Sequence, residues 1–363
     1  MGIISLQNSF INRRIVMSVK VGINGFGRIG RLCVRILMER ADEFDLCAVN
    51  LRKSDIPHMA YLLKYDSAMG RFNGTVKEGK DYLEINGKKV TVFSYDDPGQ
   101  IPWAKAGAEY IIESTGVFNS TEKAIVHKNG GAKKIILTGP AKDKETPMYV
   151  MGVNHKTYKA KYDVVSNASC TTNCLAPMVK VVNDTFGIEE GLMTTIHAST
   201  SKQQTVDARA GSDWRIGRSV YENIIPSTTG AAKAVGKVIP EVEGKLTGLS
   251  MRIPAVDASL VDLTCRLKKA ASYEDICKAM KKASKGQMKG IIDYCEDPIV
   301  SKDVLGQSCT CVFDVQAGIM LNEKFVKLIA WYDNEWGYSN KVVDLVKHVH
   351  DTVEKAEAKK AAK

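Results

Sequence analysis

Val19-Lys20-Val21-Gly22-Ile23-Asn24-Gly25-Phe26-Gly27-Arg28-Ile29-Gly30 decides the fold. The first six residues have the composition of a strand, and Leu32, Val34, Ile36 and Leu37 beyond the last glycine predict a helix. A Gly-x-Gly-x-x-Gly turn standing alone carries little. Between a strand and a helix it is specific, because the glycines allow a tight turn and let the backbone approach a pyrophosphate at the helix N-terminus. Asn24, Gly25, Phe26, Gly27, Arg28 and Ile29 are therefore the candidate pyrophosphate loop, set against the simpler alternative of a plain glycine-rich turn.

The next strand, Phe44 to Asn50 (FDLCAVN), ends about twenty residues after Gly30, where dinucleotide-binding folds carry an Asp or Glu for the ribose hydroxyls. Leu51-Arg52-Lys53 follows instead. Loss of the carboxylate and gain of two cations remove repulsion against a ribose 2′-phosphate, so Leu51 and Arg52 point to NADP at least as much as to NAD. Asp55 is near enough in sequence to turn back toward the ribose. Further on, Tyr110 to Gly116 (YIIESTG) and Lys134 to Pro140 (KIILTGP) each run from an apolar strand into small residues. Thr115, Gly116 and Thr138 then sit at strand ends bordering a cofactor cleft. A helix from Thr121 to a Gly130-Gly131 stop lies between them, and the alternation of strands and helices predicts an α/β unit with a mainly parallel sheet.

Ser169-Cys170-Thr171-Thr172-Asn173-Cys174 carries the chemistry. Tyr162 to Ser166 predicts a strand before it, and Leu175, Met178, Val179 and Val182 predict a helix after it. Cys170 would stand at that helix's N-terminus, where the dipole and unpaired amides are expected to lower a thiol pKa. Cys174, one turn later, would be carried into the core. A buried pair of free cysteines is the bland alternative, but the surrounding hydroxyls and Asn suit a pocket for an anion and a polar carbonyl compound. The strand Gly191 to Ile196 delivers His197, which is either structural or a partner base for the thiol. Ser227, Thr228, Thr229 and Gly230 are expected at a helix start, as a phosphate cradle or as plain N-capping. Arg252, a single cation in the apolar run Leu249 to Pro254, needs an anionic partner or a solvent face.

With 363 residues, 44% hydrophobic and 25% charged, the chain has the make-up of a soluble protein of about two domains. No run approaches the ~20 apolar residues that span a bilayer. Nine cysteines without secretory or metal-ligand spacing suit a reduced compartment and imply no metal. The formal net charge of +10 suits anionic substrates and cofactors; nucleic acid is expected only as a secondary partner, since no aromatic RNA-binding motif accompanies the spread of lysines. Residues 1–18 contain two Arg, three Ser and no acid, as a targeting remnant or an upstream start before Met17 would. The tail from Glu354 to Lys363 is expected to fray from the helix that holds Val342, Val343, Val346 and Val349.

From Lys20 to about His348 the chain resembles the phosphorylating glyceraldehyde-3-phosphate dehydrogenases. NGFGRIGR at 24–31, SNASCTTNCLAP at 166–177, PSTTGAAKAVG at 226–236 and WYDNEWGYS at 331–339 carry the resemblance, and Cys170 and His197 stand 27 positions apart as that family's pattern has them. The resemblance implies a Rossmann-type NAD(P)-binding domain over 19–168, an α+β catalytic domain with a mainly antiparallel sheet over 169–335, and a C-terminal helix over 336–363 that returns to the first domain. It also implies a homotetramer working in glycolysis, gluconeogenesis or carbon fixation. Cys170 would attack the aldehyde of glyceraldehyde 3-phosphate to give a hemithioacetal, with His197 as acid and base. Inorganic phosphate would then release the resulting thioester as an acyl phosphate. By the same resemblance Thr200 and Arg252 would hold the substrate phosphate, and Ser169, Thr171, Thr229 and Gly230 the attacking one. Asn334 would fix the nicotinamide amide, with Tyr338 in the same cofactor site.

Two departures from the family's NAD-specific pattern fall at the adenosine end. Leu51 replaces the ribose-binding Asp, and Ala208-Arg209 replaces the small residue and Pro that close over the 2′ position from a neighbouring subunit's loop, where Lys202 adds another cation. NADP acceptance follows, as in the plastid enzymes of photosynthetic type, so a plastid stands as the alternative to a cytoplasmic location. Erythrose-4-phosphate dehydrogenase, with the same fold and Cys/His pair, is the alternative activity; an RNA-binding or scaffold role is the alternative from another class.

Overall fold

The computed structural model describes residues 18–362, so the N-terminal extension falls outside the described residues apart from Ser18. The first unit runs β1 (Val19–Asn24), α1 (Arg28–Glu39), β2 (Phe44–Asn50), α2 (Ile56–Lys64), β3 (Val76–Glu78), β4 (Tyr82–Ile85), β5 (Lys88–Phe93), α3 (Trp103–Ala106), β6 (Tyr110–Glu113), α4 (Thr121–Ala124), β7 (Lys134–Leu137) and β8 (Val164–Ser166). The second runs α5 (Cys170–Phe186), β9 (Ile188–Ala198), β10 (Ile225–Thr228), α6 (Ala231–Val238), β11 (Leu246–Ile253), β12 (Ser259–Leu267), α7 (Tyr273–Lys285), β13 (Ile292–Cys295), β14 (Cys311–Asp314), β15 (Ile319–Asn322) and β16 (Phe325–Tyr332), before α8 (Trp336–Ala361) closes the chain.

Each unit is built on one eight-stranded sheet, and the two sheets differ as their sequences require. In the first, ordered β3-β4-β5-β2-β1-β6-β7-β8, strands β5 to β8 along that order pair in parallel and β3 and β4 form an antiparallel edge. Strands β6 (YIIE) and β7 (KIIL) are buried at every position, as expected for strands covered on both faces by helices. The second sheet, β10-β11-β9-β12-β16-β14-β13 with β15 on β16, is mainly antiparallel. Along β12 buried and half-buried residues alternate strictly, the period-2 signature of a sheet with one face on the core.

Helices α5, α6 and α7 cover that core face with Leu175, Met178, Val179, Val235, Ile276 and Met280. Helix α8 instead leaves the second unit and buries Tyr338, Val342, Val343, Val346 and Val349 in the core of the first. Two local expectations are corrected. Ser227 and Thr228 lie in β10, and α6 begins only at Ala231 behind Gly230. The tail does not fray at Glu354: α8 continues to Ala361, with Val353 buried and Lys359 and Lys360 in its last turn opposite the negative end of the dipole.

Candidate active site

A strained turn delivers Cys170. After β8, Ala168 takes a left-handed φ of 55°, which a residue with a Cβ adopts only when its surroundings impose it. Its amide donates to Ser166 Oγ at 3.0 Å and its carbonyl accepts from the Tyr338 hydroxyl at 3.0 Å. Ser169 then caps α5, accepting from the Thr172 amide at 3.1 Å. Cys170 is thereby the first residue of a 17-residue helix, half-buried, while Cys174 is fully buried one turn on.

His197 and Arg252 arrive side by side, since β9 and β11 pair in parallel with these two residues in register. The Cys170 Sγ lies 3.5 Å from His197 Nε2. His197 Nδ1 is 2.7 Å from the Ala198 carbonyl oxygen and 2.7 Å from Arg252 Nη1. A carbonyl only accepts and a guanidinium only donates, so Nδ1 serves one of them at a time. With Nδ1 protonated and donating to the Ala198 oxygen, the ring presents a bare Nε2 to the thiol. Burial, and then the Arg252 charge, push the His197 pKa down to about 3, which keeps the imidazole neutral and able to accept a proton. The expectation of a lowered thiol pKa is reversed: burial pushes Cys170 above its ordinary value, and Arg252 and the hydrogen bonds from Thr171 oppose that without overcoming it. The pair is thus a thiol beside a neutral base.

Arg252 has no carboxylate partner among the ion pairs of the described residues, and burial pushes its pKa down. An anion placed there would supply the missing counter-charge. The other candidate phosphate residues sit at two loop-to-helix junctions and one loop. Thr229 Oγ1 accepts from the Ala231 amide at 3.2 Å, and Gly230 is exposed at the N-terminus of α6. Thr200 shares Gln203 Oε1 between its amide and its hydroxyl, each at 2.8 Å. Thr171 sets its hydroxyl 2.8 Å from Tyr332 OH, and both its side chain and its backbone act on Cys170.

The candidate cofactor cleft lies at the C-terminal ends of β1, β2 and β6. A cavity of about 500 Å³ is lined by Asn24, Gly25, Phe26, Gly27, Leu51, Arg52 and Thr115, together with Asn50, Tyr95 and their neighbours. Gly25 has φ 99°, and a Cβ on Gly30 would stand 2.2 Å from the Gly25 carbonyl oxygen, so the turn cannot close with larger residues. Space is open above Gly27, and α1 begins there with neither a side-chain cap nor an acid in its first turn. Open space and uncapped amides fit a dinucleotide pyrophosphate. Arg28 turns its side chain to Asp66 and Glu335, leaving backbone to the loop. Asp55 does not turn back: it caps α2, accepting from the His58 amide at 3.2 Å. Thr138 bonds the Glu113 carbonyl, Gly116 is exposed, and exposed Arg209 and Lys202 are outside the residues lining the cavity. Asn334 Oδ1 accepts from Ser259 Oγ at 2.6 Å, and Tyr338 is buried with its hydroxyl spent on Ala168.

Three features escape the sequence. Tyr332 OH links Thr171 and Thr195 beneath the nucleophile and its ring meets His197 edge-on at 5.9 Å. Asp257 and Asp333, both buried, face each other beside Asn334, and Asp257 is pushed up to about 9 by burial and by the charges of Asp333 and Glu335. Glu113 accepts hydrogen bonds from Asn24, Thr115 and His127 below the cleft. An acid closing the all-apolar strand YIIE was the one visible signal for the last.

Profiles of two domains match the chain: the NAD binding domain of glyceraldehyde 3-phosphate dehydrogenase over residues 19–121 and its C-terminal domain over 169–334. The chain is 59% identical over 331 residues to a glyceraldehyde-3-phosphate dehydrogenase of Aspergillus oryzae, covering 91% of this chain and 97% of that one. Identity is 57% over 333 residues to the enzyme of that name from Shimwellia blattae, covering 92% and 99%. A chloroplastic relative from Arabidopsis thaliana is 57% identical over 331 residues, covering 91% of this chain and 78% of its own. With both domains matched in order around the thiol, the imidazole and the glycine-rich loop, the chain belongs to the glyceraldehyde-3-phosphate dehydrogenase family.

Proposed function

We propose that the chain oxidises glyceraldehyde 3-phosphate to 1,3-bisphosphoglycerate with inorganic phosphate and a nicotinamide dinucleotide, through a thioester on Cys170. The observation that carries this reading is the 3.5 Å approach of Cys170 Sγ to a neutral His197, with the buried Arg252 cation beside it. Sγ attacks the aldehyde carbon while its proton passes to Nε2 and on to the carbonyl oxygen, giving a hemithioacetal. A nicotinamide ring bound in the cleft supplies the acceptor for the carbinol hydrogen and its electron pair. His197 takes the hydroxyl proton as the thioester forms, and the Cys170 amide at the head of α5 faces the oxygen. Phosphate then attacks the thioester carbon and the C–S bond breaks. Cys170 leaves as thiolate and regains the proton held on His197, while the proton of the phosphate goes to water.

Arg252 and Thr200 hold the substrate phosphate in this scheme, and Ser169, Thr171, Thr229 and Gly230 the attacking one. Gly25 to Ile29 hold the pyrophosphate, and Asn334 the nicotinamide amide. Leu51 and Arg52 at the ribose end support acceptance of NADP beside NAD. Exposed Val206, Trp214, Tyr221 and Ile224 on the loop that carries Arg209 support assembly into a homotetramer that covers them. All nine cysteines are free, as a reduced compartment requires.

Initial rates with NAD and NADP, with and without phosphate, test the scheme. Acyl phosphate trapped by hydroxylamine should appear only with phosphate present. A rate indifferent to phosphate, or a preference for erythrose 4-phosphate, would overturn it.

A further inference from the structure

We infer that Glu113 is a positioning residue that sets the dinucleotide cleft, and that Trp103 and His127 orient it from inside the core. The inference rests on the dinucleotide reading of that cleft. Glu113 and His127 are both 0% exposed. The Trp103 indole N–H can only donate, and it lies 3.0 Å from His127 Nδ1. Nδ1 is therefore the acceptor, so Nε2 carries the ring proton and donates it to Glu113 Oε2 at 3.0 Å. Oε2 also accepts from Asn24 Nδ2 at 2.6 Å, while Oε1 accepts from the Thr115 amide at 2.8 Å and from its hydroxyl. Four donors converge on one side chain, which only a carboxylate can satisfy.

The orientation then spreads sideways. Because Asn24 gives its N–H to Glu113, its Oδ1 is left to accept from Asn50 Nδ2 at 2.8 Å. Asn50 in turn accepts from the Tyr95 amide at 2.9 Å and donates to the Tyr95 carbonyl at 3.1 Å. A single directional chain therefore ties together the ends of β6, β1 and β2 and the segment after β5, which are neighbours in the sheet. Asn24, Asn50, Tyr95 and Thr115 all line the cleft, whereas Trp103, His127 and Glu113 do not. Ser114 Oγ adds bonds to the carbonyls of Asn24 at 2.9 Å and Gly25 at 3.0 Å, so the glycine-rich loop hangs from the same belt. A buried carboxylate is an expensive way to fill a core. It makes sense where several donors must point one way.

Glu113→Gln keeps the shape but turns an N–H₂ toward groups that are all donors. Titration of the intact protein with NAD and NADP should show each dissociation constant raised about tenfold, the equivalent of one charge-assisted bond. The kcat at saturating cofactor and the rate of Cys170 alkylation by iodoacetate should stay within about twofold, because Glu113 bonds Asn24, Thr115 and His127 and touches neither Cys170 nor His197. His127→Leu should weaken binding in the same way. His127→Gln, whose amide keeps a donor toward Glu113, should restore most of it, which a role in packing alone would not produce. Dissociation constants unchanged in Glu113→Gln and His127→Leu, or equal losses in His127→Leu and His127→Gln, would overturn the inference. Failure of the unsubstituted protein to bind either dinucleotide would instead overturn the reading of the cleft.

Discussion

Cys170 and His197 divide the work by their surroundings rather than by their intrinsic chemistry. Burial holds the thiol protonated and the imidazole neutral, so the thiol proton has somewhere to go at the moment of attack. Cys170→Ser should abolish oxidation while dinucleotide binding survives, because an alcohol beside the same base is a far weaker nucleophile; turnover above a few per cent of the parent would remove Cys170 from the role. His197→Asn should slow formation of the thioester by roughly 10²- to 10⁴-fold in single-turnover measurements. Asp257 titrates in the opposite sense from an ordinary ion-paired carboxylate. Its folded pKa, pushed up to about 9, lies above the ordinary 3.8, so the folded chain keeps a proton that the unfolded chain releases between those values. Stability therefore falls as pH climbs through that window. Asp257→Asn removes the charge that burial and Asp333 oppose, and should raise Tm by ~2 °C or more at pH 8 and by less at pH 5. An equal shift at both pH values would mean that Asp257 does not titrate in that window.

At the scale of elements, the strand-loop-helix at Val19 to Glu39 and the strand-turn-helix around Cys170 were legible because their signals are local. Apolar periodicity, glycines and a Ser cap all fall within one turn of the residue they control. What was not legible depends on partners far along the chain. The left-handed turn at Ala168 is held by Tyr338, 170 positions away, and the inward turn of the Thr171 hydroxyl is set by Tyr332, 161 positions away. The sign of the Cys170 shift was missed for the same reason: the helix terminus is visible in sequence, but the burial that outweighs it is not. The end of β2 is a local feature with a specific consequence. Leu51→Asp should shift the kcat/KM ratio from NADP toward NAD by roughly 10- to 150-fold, since a carboxylate there repels a 2′-phosphate and accepts from a 2′-hydroxyl. A ratio that does not move would make Leu51 a tolerated substitution with no part in cofactor choice.

For the molecule as a whole, α8 is the part that makes two sheets one protein. It starts beside the active site, where Asp333 accepts from the amides of Glu335 and Trp336, and ends on the far side of the first sheet. Arg40 reaches Asp344 at 2.6 Å, and His348 lies 2.8 Å from the His155 carbonyl. Removing residues 336–363 should strip the apolar side chains of α8 from the first core and leave a chain that neither binds dinucleotide nor unfolds cooperatively, whereas removing 355–363 should change stability by less than ~1 kcal/mol. Cooperative loss in the shorter deletion, by thermal melting, would contradict that division. During synthesis the same geometry imposes an order. The first unit emerges before the helix that completes its core, and that helix is made only after the whole second unit. The nascent nucleotide-binding half must therefore wait, with its apolar face uncovered, through the translation of the entire catalytic half, and its need for chaperone shelter should be set by the time the ribosome takes to complete α8.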